Sequence, residues 1–134
     1  MSVEPRGGLA LTRIGPILIG VEGDRVTAFF EPGEREADCD LAEILSLSPP
    51  DGAGVRLLEV QHAAGRFVMA VHGRIRMAAS EPRLRWQRPL LIAGVFRRAC
   101  LRGVVRHESK LVYLLDVEEV AARIGREAGE GRTS

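Results

Sequence analysis

Gly103-Val104-Val105, then Arg106 to Lys110, then Leu111-Val112-Tyr113-Leu114-Leu115, then Asp116-Val117-Glu118-Glu119-Val120: an apolar strand, a polar turn, a second apolar strand and an aspartate that opens an amphipathic turn of helix. Runs of β-branched and aliphatic residues broken by polar turn residues read as a hairpin. An aspartate just ahead of an apolar-periodic stretch is a helix start, because its carboxylate can accept from the first free backbone N–H groups. The same order occurs earlier. Ile17-Leu18-Ile19-Gly20-Val21 is followed by a turn at Glu22 to Arg25, by Val26-Thr27-Ala28-Phe29-Phe30, and, after a polar insertion, by Asp40-Leu41-Ala42-Glu43-Ile44-Leu45. The two aspartates are 76 positions apart, too far for a solenoid repeat. Two related β subdomains in one small protein account for the pattern.

Between the copies the chain is again strand-rich. Val55-Arg56-Leu57-Leu58-Glu59-Val60 and Arg66-Phe67-Val68-Met69-Ala70-Val71 form a hairpin around Gln61 to Gly65. From Val71 the alternation continues, with Val71, Gly73, Ile75 and Met77 on one side and His72, Arg74 and Arg76 on the other. Ser48-Pro49-Pro50-Asp51-Gly52-Ala53-Gly54 is a linker, since paired prolines and two glycines disfavour a ladder. Leu90 to Val95 reads as a buried strand, and the tail 125–134 as disordered.

A chain of 134 residues with 46% hydrophobic content can bury a real core. The expectation is a mainly β fold of two small five-stranded barrels packed together, with short helices. Residues 1–14 are expected as a flexible N-terminus and 15–124 as a single domain, with subdomains 15–54 plus 90–124, and 55–89. No stretch approaches the roughly 20 apolar residues that span a bilayer, and the reading is a soluble cytoplasmic protein. Cys39 and Cys100 have no second thiol nearby in sequence, so no zinc knuckle or redox pair is written; pairing between them stays open, with reduced thiols the preferred reading.

Net charge is +1 but unevenly distributed. Acids dominate from Glu31 to Glu59, whereas seven arginines and no acid lie between Pro82 and His107. There Arg83, Arg85, Trp86, Arg88, Arg97 and Arg98 interleave cations with an aromatic, as single-strand nucleic-acid surfaces do. Low aromatic content, 4%, and near-zero net charge weigh against that alternative. Catalytic readings do poorly. His62, His72 and His107 lack the spacing of two ligands on one helix face. Glu34, Glu36, Asp38 and Asp40 could line one face of an extended segment, but a calcium loop also needs a fixed Gly and a distal Glu, and they read as a solvated loop. No phosphate loop and no nucleophile elbow occur. A non-enzymatic protein with no cofactor and no metal is the expectation.

The same residues resemble a known family, the CheW-like domain of bacterial chemotaxis. Gly103-Val104-Val105 with Leu111 to Val117 is similar to its closing hairpin. Leu57-Leu58-Glu59-Val60, Gly65-Arg66-Phe67 and Val71 onward are similar to its central hairpin, and Ile19 to Phe30 with Asp40 to Leu45 to its first-subdomain segment. There are departures. The family's Asn-Leu-Arg-Gly turn, whose arginine contributes to receptor coupling, is Glu22-Gly23-Asp24-Arg25 here, which puts Arg25 in that place. Its Val-Asp pair is Val71-His72. Only 19 residues precede Gly20, about half the family's usual number, so the first barrel is expected to be truncated, as in the reduced members of gliding-motility systems such as Frz. The resemblance implies an adaptor that links a chemoreceptor cytoplasmic domain to the regulatory domain of a CheA-type histidine kinase or to a scaffold, with a homodimer as a further option. Its binding surface would use Val21, Val26 and Phe29 in the first half and Met69, Val71 and Ile75 in the second, with Arg25, Arg66, Arg74 and Arg76 setting register.

Overall fold

A computed structural model describes residues 8–49, 52, 54–78 and 100–132, with side chains to 127. Among the described residues nine strands and two helices follow one another: β1 (Leu9–Ile14), β2 (Ile17–Glu22), β3 (Val26–Phe30), β4 (Cys39–Asp40), α1 (Leu41–Ile44), β5 (Val55–His62), β6 (Gly65–His72), β7 (Ile75–Ala78), β8 (Leu101–His107), β9 (Lys110–Leu115) and α2 (Val117–Arg132). They make two sheets. The first has the order β7-β1-β2-β9-β8 and the second β3-β5-β6-β4. Among the described residues neither closes, so the expected pair of five-stranded barrels becomes one open five-stranded and one open four-stranded sheet.

The assignment of strands to sheets also differs from the expected subdomains. β2 and β3 do not form a hairpin: β2 lies between β1 and β9, and β3 pairs with β5. A single 3₁₀ turn, Gly23–Arg25, diverts the chain from the first sheet to the second. The return is equally abrupt. Gly73, at φ 108°, breaks the alternation expected from Val71 to Met77, so β6 stays in the second sheet while β7 pairs with β1 in the first. Only glycine reaches that backbone region without a Cβ penalty. The second sheet thus comes from the continuous stretch 26–72, and the first gathers 9–22, 75–78 and 101–115.

Two further expectations are corrected. Residues 9–14, assigned to a flexible N-terminus, form a central strand whose Leu9, Leu11 and Ile14 are at most 2% exposed. Residues 125–132, expected as disordered, continue α2.

Both helix-opening aspartates do what their sequence position suggests. Asp40 Oδ1 accepts from Ala42 N at 2.9 Å, and Asp116 Oδ1 accepts from Glu119 N at 3.1 Å. The main core lies between the sheets. Ala10, Ile14, Ile19, Val21 and Leu115 from the first meet Leu58, Val60, Phe67, Met69 and Val71 from the second, sealed by Leu41, Ile44, Val117 and Val120 of the helices. Each such fully buried aliphatic side chain contributes about 1.5–3 kcal/mol. The opposite face of the first sheet buries Leu9, Leu11, Val105, Val112 and Leu114. On the opposite face of the second lie Leu57, Val68 and Ala70.

The chain must cross the second sheet between β3 and β4, which are its two edges. It does so over the outer face. Arg35 lies 5.1 Å above the Phe30 ring and reaches Glu59 at 3.5 Å, and Asp38 N donates to Val68 O at 2.7 Å. Val68 N in turn donates to Asp38 Oδ2 at 2.8 Å. The crossing segment exposes Glu31, Glu34 and Glu36.

Candidate partner-binding surfaces

The apolar half of the expected binding surface is mostly core. Val21, Met69 and Val71 are 2%, 0% and 1% exposed, because strand alternation aims them into the space between the sheets. They cannot touch a partner without unfolding, which corrects their assignment to a docking surface. Val26 and Ile75 are half-buried against the same core. Phe29 differs. It is 52% exposed on the edge strand β3, on the core-facing side of the second sheet, because it pairs with Leu58, while Phe30 takes the face under the crossing segment.

The four arginines fall into two groups. Arg25, in the 3₁₀ turn, donates to Glu118 Oε2 at 3.1 Å and to Gln61 O at 3.4 Å. Glu118 Oε2 also accepts from Ala63 N at 3.0 Å, so one carboxylate on α2 gathers β3's approach and the β5–β6 turn. Arg66 stands 3.6 Å from Glu59, whose carboxylate also takes the Thr27 hydroxyl at 2.8 Å and Arg35. Glu59 is 8% exposed, and a buried carboxylate needs such company. Arg66 itself remains largely exposed. These two arginines therefore hold the fold together as well as facing solvent.

Arg74 and Arg76 lie elsewhere, at the end of the first sheet. Register places Arg76 opposite Leu11, and Arg13 opposite Leu18. With Arg74 and Lys110 these residues line one shallow groove. An adjoining depression is lined by Arg13, Pro16, Leu18, Lys110, Leu111 and Tyr113. Arg76 has a weak contact with Glu108 at 3.8 Å, while Arg13, Arg74 and Lys110 have no carboxylate partner among the described residues. Leu111 is 54% exposed and Met77 50%. The result is a basic groove whose apolar lining is Leu11 and Leu18, whereas Met77, paired with Ala10, lies on the other face of the sheet. Sequence reasoning found Arg74 and Arg76 but missed Arg13 and Lys110, which only the strand pairing brings to them; Lys110 is the sole lysine in the chain.

The expected nucleic-acid surface, Arg83, Arg85, Trp86, Arg88, Arg97 and Arg98, lies outside the described residues, as does the strand expected at Leu90 to Val95. The acidic run has structural duties. Asp38 binds Val68 N, and Asp40 caps α1 and accepts from His72 Nε2 at 2.8 Å through its other oxygen. Among the described residues no cluster of His, Cys, Asp and Glu is arranged to hold a metal ion. No helix among them is long and apolar enough to cross a membrane. Cys39 and Cys100 both contact the main core as free thiols. Burial, then the charges of Asp38 and Asp40, push the Cys39 thiol up to about 12. Burial likewise raises that of Cys100.

Two open sheets enclosing a shared core, flanked by helices, make a mainly β fold, and its likeness is to the CheW-like fold. The chain aligns with the crystal structure of the scaffolding protein TtCheW from Thermoanaerobacter tengcongensis at a TM-score of 0.54 and 11% identity, over 85% of this chain and 88% of that one. At that identity the likeness shows the fold. No protein-family model matches the chain, and no curated protein matches it in sequence.

Proposed function

We propose that this chain is a non-enzymatic coupling protein of a bacterial chemosensory assembly, joining a chemoreceptor's cytoplasmic domain to a CheA-type histidine kinase or a scaffold by protein–protein binding. The observation that carries this reading is the match of fold along nearly the whole length of a scaffolding protein. The surface chemistry agrees with it. Binding between stable folds uses exposed apolar side chains, and Phe29, Met77 and Leu111 are each about half exposed. Of the residues first considered, Phe29, Arg66, Arg74 and Arg76 are presented to solvent and form the proposed contact set, with Arg25 joining it through its partly exposed guanidinium.

The test is a pull-down of the purified protein against a receptor cytoplasmic fragment and, separately, a kinase regulatory domain, at low and moderate salt. Retention of either supports the reading, and Phe29→Ala or Arg74→Glu should weaken it. Binding to neither partner would refute it.

A further inference from the structure

Arg13 and Arg74 meet at one end of the first sheet, on its outer face. The β1–β7 pairing ends at Thr12 with Ile75, and one further step of that register sets Arg13 against Arg74. Both line the groove, together with Arg76, which is paired with Leu11, and Lys110, which alternates with the buried Val112 and Leu114. Arg13, Arg74 and Lys110 have no carboxylate partner among the described residues, and Arg76 has only the 3.8 Å contact with the exposed Glu108. Like charges held opposite one another on neighbouring strands cost stability, and an anion placed between them relieves that cost. The chain nearby does not correct the balance. Residues 79–99, which join β7 to β8 of the same sheet, contain five arginines and one acid, Glu81. A molecule whose net charge is only +1 thus keeps four cations in one groove.

We infer that this groove is a docking site for an acidic segment of another protein, bound in extended form with glutamates at alternate positions. Its dimensions favour that class. From β7 to β9 the cations span three inter-strand steps, about 14 Å, the length of about four extended residues. Carboxylates two positions apart on such a segment lie about 7 Å from each other on one side, so one is taken by Arg13 with Arg74 and the next falls within reach of Lys110 or Arg76. Guanidinium forks grip a carboxylate through two N–H donors, and the apolar lining, Leu11 and Leu18, suits the methylene stems of glutamate. Other anions fit less well. A small phosphate ligand needs a concave pocket that covers most of its surface, and this groove is shallow. A nucleic-acid strand needs rings to stack on, and no aromatic residue lines the groove. The inference draws on the groove alone and stands whether or not the partner is a receptor or a kinase.

Fluorescence anisotropy tests it with the full chain and a labelled, end-blocked peptide of alternating glutamate and threonine. The comparisons are the same peptide with glutamine for glutamate, a single-stranded oligothymidine, and inorganic phosphate as competitor. At low salt the glutamate peptide should bind at least about tenfold tighter than the glutamine peptide or the oligothymidine. Arg13→Gln with Arg74→Gln should weaken that binding at least about tenfold, whereas Arg56→Gln with Arg126→Gln, which removes the same charge elsewhere, should leave it within about twofold. All four positions are exposed, so both variants should fold as wild type does. Added peptide should raise the melting temperature of wild type and not that of the first variant. Absence of binding at about 1 mM glutamate peptide overturns the inference. Equal weakening by both variants does so too, since it marks a general attraction and no site. Tighter binding of oligothymidine, lost in the first variant, overturns it in favour of nucleic acid. Displacement of the peptide by phosphate, but not by chloride at equal ionic strength, overturns it in favour of a small-anion site.

Discussion

Glu118 Oε2 stands 3.1 Å from Arg25 Nη1, joining the first turn of the C-terminal helix to the turn where the chain changes sheets, 93 residues earlier. Since Ala63 N donates to the same carboxylate, Glu118→Ala removes a three-way tie. Both side chains are partly exposed, so screening keeps the ion pair weak, and the expected loss is about 1 kcal/mol or less. The larger effect should be local. Amide hydrogen exchange in the first turn of α2 and at Ala63 should accelerate in Glu118→Ala, while the amides of β5 and β6 away from that turn stay protected.

Gly20 faces the second core at the parallel junction of β2 and β9. A Cβ built there would lie 2.8 Å from Val112 Cγ1, with Leu114 and Leu11 close behind. Gly20→Ala must displace a side chain that is fully buried, and should destabilise by about 1–3 kcal/mol. Urea denaturation checks it; a midpoint equal to wild type would show that Val112 can move freely.

Thr12 is 5% exposed, and its hydroxyl has no hydrogen-bond partner among the described residues. Replacing that hydroxyl by a methyl group removes an unsatisfied buried polar atom, so Thr12→Val is expected to stabilise by about 1 kcal/mol. Thermal melting should show a midpoint a few degrees above wild type.

The β8–β9 hairpin closes over Glu108 and Ser109, both at positive φ, 48° and 64°. That is the backbone requirement of a type I′ turn, which Asn-Gly meets with less strain. Glu108→Asn combined with Ser109→Gly should raise stability by about 1–2 kcal/mol, with small loss from the exposed Arg76 contact. A lower melting temperature would contradict this.

With its thiol pushed up to about 12, Cys39 should be nearly inert to alkylation and disulfide exchange near pH 8, where only the thiolate reacts. Folding favours the protonated thiol, whereas the unfolded chain ionises it near 9.0, so stability should fall as pH rises from 9 towards 12. Cys39→Ser, followed by chemical denaturation across that window, should flatten the dependence.

Much of the local structure was legible in the residues. Asp40 and Asp116 announced their helix starts, and the runs of aliphatic and β-branched residues announced β5, β6, β8 and β9. Sheet membership was not, because two strands separated by a short polar turn look the same whether they pair or part. Glu22 to Arg25 resembles a hairpin turn; only the long-range register of Ile19 with Tyr113 and Phe29 with Leu58 shows that β2 and β3 separate. Alternation likewise divides Met69 and Val71 from their neighbours without saying which face is covered. In the second sheet both are: the helices and first sheet cover one, the crossing segment the other. The basic groove was half visible, since Arg74 and Arg76 stand in a readable strand while Arg13 and Lys110 reach them only through folding.

The way the two sheets draw on the chain sets an order of events during synthesis. Everything the four-stranded sheet needs has left the ribosome once His72 is free, so it can assemble early from near neighbours. The five-stranded sheet must hold β1 and β2 waiting until β9 emerges, because Ile19 and Gly20 pair with Tyr113 and Leu114. Such distant pairing is slow, and β2 keeps an unsatisfied edge meanwhile. The nascent chain is therefore most exposed to mispairing between those two moments, and a release stalled short of Leu115 should yield a folded half and an aggregation-prone remainder.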